Sequence, residues 1–170
     1  MAWLNGSESG FPYWLGAYPQ PGPYGSFSST QSQTVAGANV STPITYDTTD
    51  GASQTYFSGS KIYVQVMGVY QLIFTIQADT TSGGSQSVRV WIRKNGVNVA
   101  NTASLFTIAN NGENVAACAL QIPLLAGDFV EVVMQSSDAG MTAAAMTAGG
   151  VAPNNYPAVP SIITVINKIA

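Results

Sequence analysis

The sequence predicts an all-β protein, a β-sandwich of the jelly-roll type, and three observations carry that expectation. Short runs rich in β-branched and aromatic residues alternate in polarity with a period of two. Turn signals separate them roughly every ten residues, and no amphipathic helical pattern occurs after residue 34. Roughly eight or more such strands in a chain of 170 residues are enough for one sandwich with a real core, and a jelly roll is the commonest arrangement of that number.

The first 31 residues differ from everything after them. Trp3, Phe11, Tyr13, Trp14, Tyr18, Tyr24 and Phe27 are interspersed with Pro12, Pro19, Pro21 and Pro23, and Glu8 is the one charge. Prolines at this density oppose helix and most sheet pairing, while the rings offer apolar area that an extended segment cannot bury on itself. Residues 1–31 therefore read as an arm ordered by lying on a partner surface, with Trp3, Phe11, Tyr13, Trp14 and Tyr18 as its anchors. The alternative is a segment folded back over the edge of its own sandwich. On this reading the sandwich domain is residues 32–170.

Residues 34–40 and 43–46 read as a broken edge strand, and 46–51 as a turn region. In 61–67, Ile62, Val64 and Val66 point inward. Residues 68–77 form the strand around which the rest is organised. Gly68 opens it, accepting backbone angles that other residues avoid, and Tyr70, Leu72, Phe74 and Ile76 then share one face. The other face, Val69, Gln71, Ile73 and Thr75, is only partly polar, which predicts that something covers it. Val88, Val90 and Ile92 oppose Arg89, Trp91 and Arg93, and Asn95-Gly96 is the dipeptide of a type I′ hairpin returning along 97–100.

A short strand at 104–109 leads to 115–124, where Ala117 and Ala119 mark one face and Cys118, Leu120, Ile122 and Leu124 the other. Ala126-Gly127-Asp128 makes a tight turn into a strand at 129–135. Residues 138–160 are an Ala/Gly/Met/Pro segment without periodicity, and a loop of that length in a compact domain usually has a task or a partner. The chain closes with 161–169, apolar on both faces. If 69–76, 115–124 and 161–169 share a sheet, its outer face is a subunit interface. The candidate interface residues are Tyr70, Leu72, Phe74, Ala117, Ala119, Ile163 and Val165.

Hydrophobic residues are 46% and charged residues 8%, against about 25% charged in an ordinary soluble protein. That balance excludes charge-driven disorder and suits a surface spent on neighbours in an assembly, or a neutral all-β monomer. Net charge is −3, and Lys61, Arg89, Arg93, Lys94 and Lys168 are scattered, so direct nucleic-acid binding is not expected. Histidine is absent, the eight acids lack metal-loop spacing, and the lysines sit in no serine-lysine motif. Neither catalysis, nor a cofactor or metal, nor a small-molecule substrate is expected.

Asp47 and Asp50 could chelate a surface ion but suit turn formation better. Trp91 beside Arg89 and Arg93 could stack on a sugar, or form a partly exposed sandwich edge. Cys118, in an apolar run, reads as a buried small hydrophobe. The N-terminal residues lack the pattern of a signal peptide and no apolar run has membrane-spanning length, which predicts synthesis in a cytoplasm and no membrane partner.

Gly68-Val69-Tyr70 followed by Leu72 and Phe74, then Lys94-Asn95-Gly96, then residues 120–125 running into Ala126-Gly127-Asp128, resemble the landmarks of the tumour necrosis factor and complement globular-head superfamily. Order and spacing agree over residues 34–169. The resemblance implies a ten-strand jelly roll assembled as a homotrimer, its inner sheet containing the three doubly apolar strands. The family's receptor-binding and calcium-binding residues find no matching motif here, and its collagen stalk has no counterpart. The closing Pro160-Ser161-Ile162-Ile163-Thr164-Val165, the low charge and the aromatic arm are similar to the version of this fold in virion proteins of tailed phages and large DNA viruses. That likeness implies a decoration, cement or minor capsid protein at the capsid surface, partnered by the major capsid protein and made in the host cytoplasm. The alternative is the receptor- or glycan-binding head of a fibre.

Overall fold

A computed structural model of the chain describes residues 22–81, 83–150 and 155–170, and every regular element among them is a strand. In chain order these are β1 (Tyr24–Ser29), β2 (Gln33–Thr34), β3 (Thr42–Pro43), β4 (Thr48–Ser53), β5 (Thr55–Ser58), β6 (Lys61–Val64) and β7 (Gly68–Thr80). There follow β8 (Gln86–Lys94), β9 (Val97–Asn98), β10 (Ser104–Ile108), β11 (Glu113–Leu124), β12 (Phe129–Ser136), β13 (Met141–Ala143) and β14 (Ile162–Lys168). They form two antiparallel sheets. In the first, β11, β7, β14, β1 and β4 lie side by side, and β13 flanks the far end of β7 with β2 beyond it. The second runs β10, β8, β12, β6, β5, with β3 on β12 and β9 on β8.

The core lies between the sheets. Tyr70, Leu72, Phe74 and Ile76 of β7, Ile162 and Ile166 of β14 and Phe27 of β1 meet Val88, Val90 and Ile92 of β8, Val130, Val132 and Met134 of β12, and Ile62 and Val64 of β6. The strand period of two places these side chains on one face of β7, β8 and β12. Cys118 and Leu120 pack at the margin of this cluster.

Several boundaries differ from the sequence reading. Tyr24–Ser29, assigned there to the arm, is a strand paired with β14 on one side and β4 on the other. Its Phe27 is fully buried, and Gly25 is required beside it, because a Cβ there would sit 2.5 Å from both the Phe27 ring and Thr55 Oγ1. Most of 46–51, expected as a turn region, belongs to strand β4; of 34–40 only Thr34 is strand, paired from Gln33 with β13. The long 138–160 segment also contains β13 and two antiparallel bridges, Met146 with Val159 and Gly149 with Tyr156. Gly68 is glycine for a different reason from the one expected. Its φ is not positive, but a Cβ there would collide with Lys168 and the Ala170 carbonyl, where the C-terminal tail crosses and Val69 N–H donates to Ala170 O at 2.8 Å.

The turn landmarks converge in space. Asn95 and Gly96 both have positive φ, 51° and 80°, as a type I′ turn demands. Asn95 Nδ2 donates to Asp128 Oδ1 at 2.7 Å while Phe129 N–H donates to Asn95 Oδ1 at 2.9 Å. The other Asp128 oxygen accepts from Leu125 N–H at 2.8 Å and pairs with Lys94 Nζ at 2.9 Å. The Asn95 and Leu125 hydrogen bonds, with Lys94 adding to them, draw the Asp128 carboxyl down to a pKa of about 2. One carboxylate thus clips the β8–β9 hairpin to the β11–β12 turn, a structural task.

Candidate functional site

The outer face of the first sheet is the candidate site. On β7 the side chains opposite the core are Val69, Gln71, Ile73, Thr75, Gln77 and Asp79. Register places Ile73 between Ala119 of β11 and Val165 of β14, and Thr75 between Ala117 and Ile163. Val115 lies one rung further along β11, opposite Gln77. The result is a contiguous apolar patch over three strands. Ile73 is 39% exposed, Ile163 38% and Val115 55%. A sheet face that met only water would carry polar side chains at these rungs.

Polar groups border the patch. Gln71, Gln121 and Asn167 share a rung at one end, and at the other Asp79 faces Glu113 directly across the β7–β11 pair. Beyond β14, the Ser26 and Ser28 hydroxyls of β1 donate to Asp50 of β4. The alanines on β11 let a second backbone approach the patch closely, because nothing larger than a methyl group stands on that strand there.

The seven predicted interface residues divide. Ala117, Ala119, Ile163 and Val165 stand on this outer face. Tyr70, Leu72 and Phe74 do not: each is buried between the sheets within the single chain, with at most 1% exposed. Their parity decides it, since they alternate with Ile73 and so face the other way. Ile73 and Val115 belong to the patch and were not among the candidates, although the mixed second face of residues 69–75 contained the signal for Ile73. The predicted arm anchors Trp3, Phe11, Tyr13, Trp14 and Tyr18 lie outside the described residues.

Asp47 and Asp50 work as strand ties. Asp47 accepts the Thr30 N–H at 3.0 Å and the Thr30 and Thr48 hydroxyls at 2.8 Å. Slight burial pushes its pKa up, but these hydrogen bonds outweigh it and hold the carboxyl below the usual range. Among the described residues no group of three His, Cys, Asp or Glu side chains could hold a metal, and no helix is long and apolar enough to cross a membrane. Trp91 and Arg89 line one shallow depression on the second sheet. Trp91 is only 9% exposed, so of the two sequence alternatives it does not present the open face that stacking on a sugar would need.

No protein-family model matches the chain, and no curated protein matches it in sequence. Solved structures do match in fold. The globular domain of a zebrafish complement 1qA protein aligns with a TM-score of 0.51 at 14% identity, covering 88% of this chain and 98% of that one. Murine APRIL at pH 5.0 aligns with a TM-score of 0.54 at 11% identity, covering 85% and 98%. At such identities the likeness is one of fold: the chain is a jelly-roll sandwich of the tumour necrosis factor and complement globular-head type.

Proposed function

We propose that this sandwich is a homotrimeric structural protein of a virion, a decoration, cement or minor capsid component attached to its particle through the N-terminal segment. The observation that carries the self-assembly is the apolar patch of Ile73, Val115, Ala117, Ala119, Ile163 and Val165, bordered by polar side chains on the outer sheet face. A second copy of the same patch, related by a closed symmetry axis, is the simplest partner of matching chemistry. A chain with only 8% charged residues suits a protein packed among neighbours. The viral setting rests on the likeness of the closing strand and the aromatic N-terminal segment to virion proteins. On this reading the protein is not an enzyme, binds no nucleic acid directly, and sits at the capsid surface against the major capsid protein.

The test is a truncation. Because β1 begins at Tyr24 and Phe27 is core, the cut belongs before Gly22; a chain starting near Ser32 would lose a strand. A chain starting at Gly22 should fold and trimerise but fail to co-sediment with particles that lack the protein. Equal sedimentation of the truncated and full chains would refute attachment through Trp3, Phe11, Tyr13, Trp14 and Tyr18. The second reading, a fibre or spike head, is favoured by the depression around Arg89. Counting copies per particle separates the two, since capsid components are abundant and fibre heads few.

A further inference from the structure

The second sheet carries, on the face turned away from the core, a depression of about 350 Å³ between β8, β12 and the loop after β9. Its floor includes Arg89 of β8 and Gln135 of β12, which share a rung. Its wall is the loop through Asn98, Asn101 and Ala103. That loop is pinned: Val99 N–H donates to Ile92 O at 3.0 Å, and the Thr102 hydroxyl donates to Val99 O at 2.8 Å while accepting from Ile92 N–H at 3.2 Å.

The polar groups lining the depression are oriented from behind. Asn98 Oδ1 accepts from the Trp91 indole N–H at 2.8 Å and from Arg93 Nε at 3.0 Å. Both donors claim the oxygen, so the amide is fixed and its Nδ2 hydrogens have no protein partner among the described residues. Gln135 is fixed in the opposite sense: its Nε2 donates to Asn39 O at 2.7 Å, which leaves Oε1 as a free acceptor. Arg89 is exposed, makes no ion pair among the described residues, and no carboxylate lines the depression. An oriented donor, an oriented acceptor and an uncompensated guanidinium thus line one small space together with the apolar Val99, Ala103 and little-exposed Trp91.

We propose that this depression binds a carboxylated sugar residue. The Arg89 fork matches a carboxylate, with two parallel N–H groups for its two oxygens. Neighbouring ring hydroxyls both donate and accept, which is what Gln135 Oε1 and Asn98 Nδ2 together require. A volume near the lower end of ligand pockets suits one monosaccharide. The site lies on the opposite sheet from the apolar patch, so it stands or falls independently of the trimer and of the N-terminal segment.

Saturation-transfer NMR on the full chain tests it, with the methyl glycosides of N-acetylneuraminic acid and of glucuronic acid as probes. Their methyl esters, methyl glucoside and acetate serve as references. At least one acidic glycoside should receive saturation at millimolar concentration, and the two arms show whether a sialic or a uronic acid is preferred. Its methyl ester should bind about tenfold more weakly or worse, because the charged hydrogen bonds to Arg89 are lost. Arg89→Gln should produce the same loss for the free acid and leave the ester unchanged. The ester comparison removes the charge without altering the protein, so it decides the matter even where the variant folds poorly. No saturation of either acid would overturn the proposal, as would equal binding of acid and ester. Acetate competing as well as the sugar would reduce the site to a bare anion contact and overturn it too.

Discussion

Ile73→Lys should dissolve the proposed trimer while leaving the sandwich folded. Ile73 retains 39% of its surface in the single chain, and full burial of such a side chain is worth about 1.5–3 kcal/mol, so its remaining area contributes about 1 kcal/mol per protomer on association. A lysine at that rung, between Ala119 and Val165, would bury an ammonium without a partner. The nearest acid along β7, Asp79, is six residues away, roughly 20 Å at about 3.3 Å per residue. An unpaired buried charge costs several kcal/mol, and with the lost apolar area the swing exceeds about 3 kcal/mol per protomer, more than about a hundredfold in affinity. Phe74→Ala is the control: one residue on, but inward and 1% exposed, it should cost the fold itself about 3–5 kcal/mol. Light scattering at micromolar concentration should report three chains for the natural protein and one for Ile73→Lys, with an unchanged far-ultraviolet spectrum. Phe74→Ala should instead lower the melting temperature. A trimeric Ile73→Lys protein, or a natural protein that is already monomeric, would refute the assignment of this face.

Three further outcomes follow from the same geometry. Asp128→Asn should lose about 1–3 kcal/mol at neutral pH. Because the folded pKa of about 2 lies below the ordinary 3.8, that contribution is complete above about pH 4 and fades as pH falls through 2. Denaturation curves of natural and variant protein should therefore converge in acid, and a difference undiminished at pH 2 would contradict the clip. Tyr46→Phe and Thr164→Val each strand one half of a buried 2.8 Å hydrogen bond and should cost about 1–3 kcal/mol singly, yet much less than their sum together; additive losses in urea titrations would argue against the bond. Gly25→Ala should cost about 1–3 kcal/mol through overpacking against Phe27 and Thr55, and a neutral result would mean that the neighbouring ring moves freely.

What the sequence determined by itself is local. Alternation along residues 70–76 and 88–92 declared the strands and which side chains share a face, because side-chain direction follows from the strand period alone. Asn95-Gly96 declared its hairpin, because few other dipeptides tolerate two positive φ angles. What only the tertiary structure decided is which face meets what. Tyr70, Leu72 and Phe74 are as apolar as an interface would need, and only the second sheet above them shows that they are core. Tyr24–Ser29 carries the composition of the segment before it, and its place in the sheet is set by β14 and β4, partners more than a hundred and about twenty residues away. The depression on the second sheet joins Arg89, Asn98 and Gln135 from two strands and a loop. No local pattern encodes that meeting, since strand order and register depend on the free energy of the whole sandwich and not on any stretch within it.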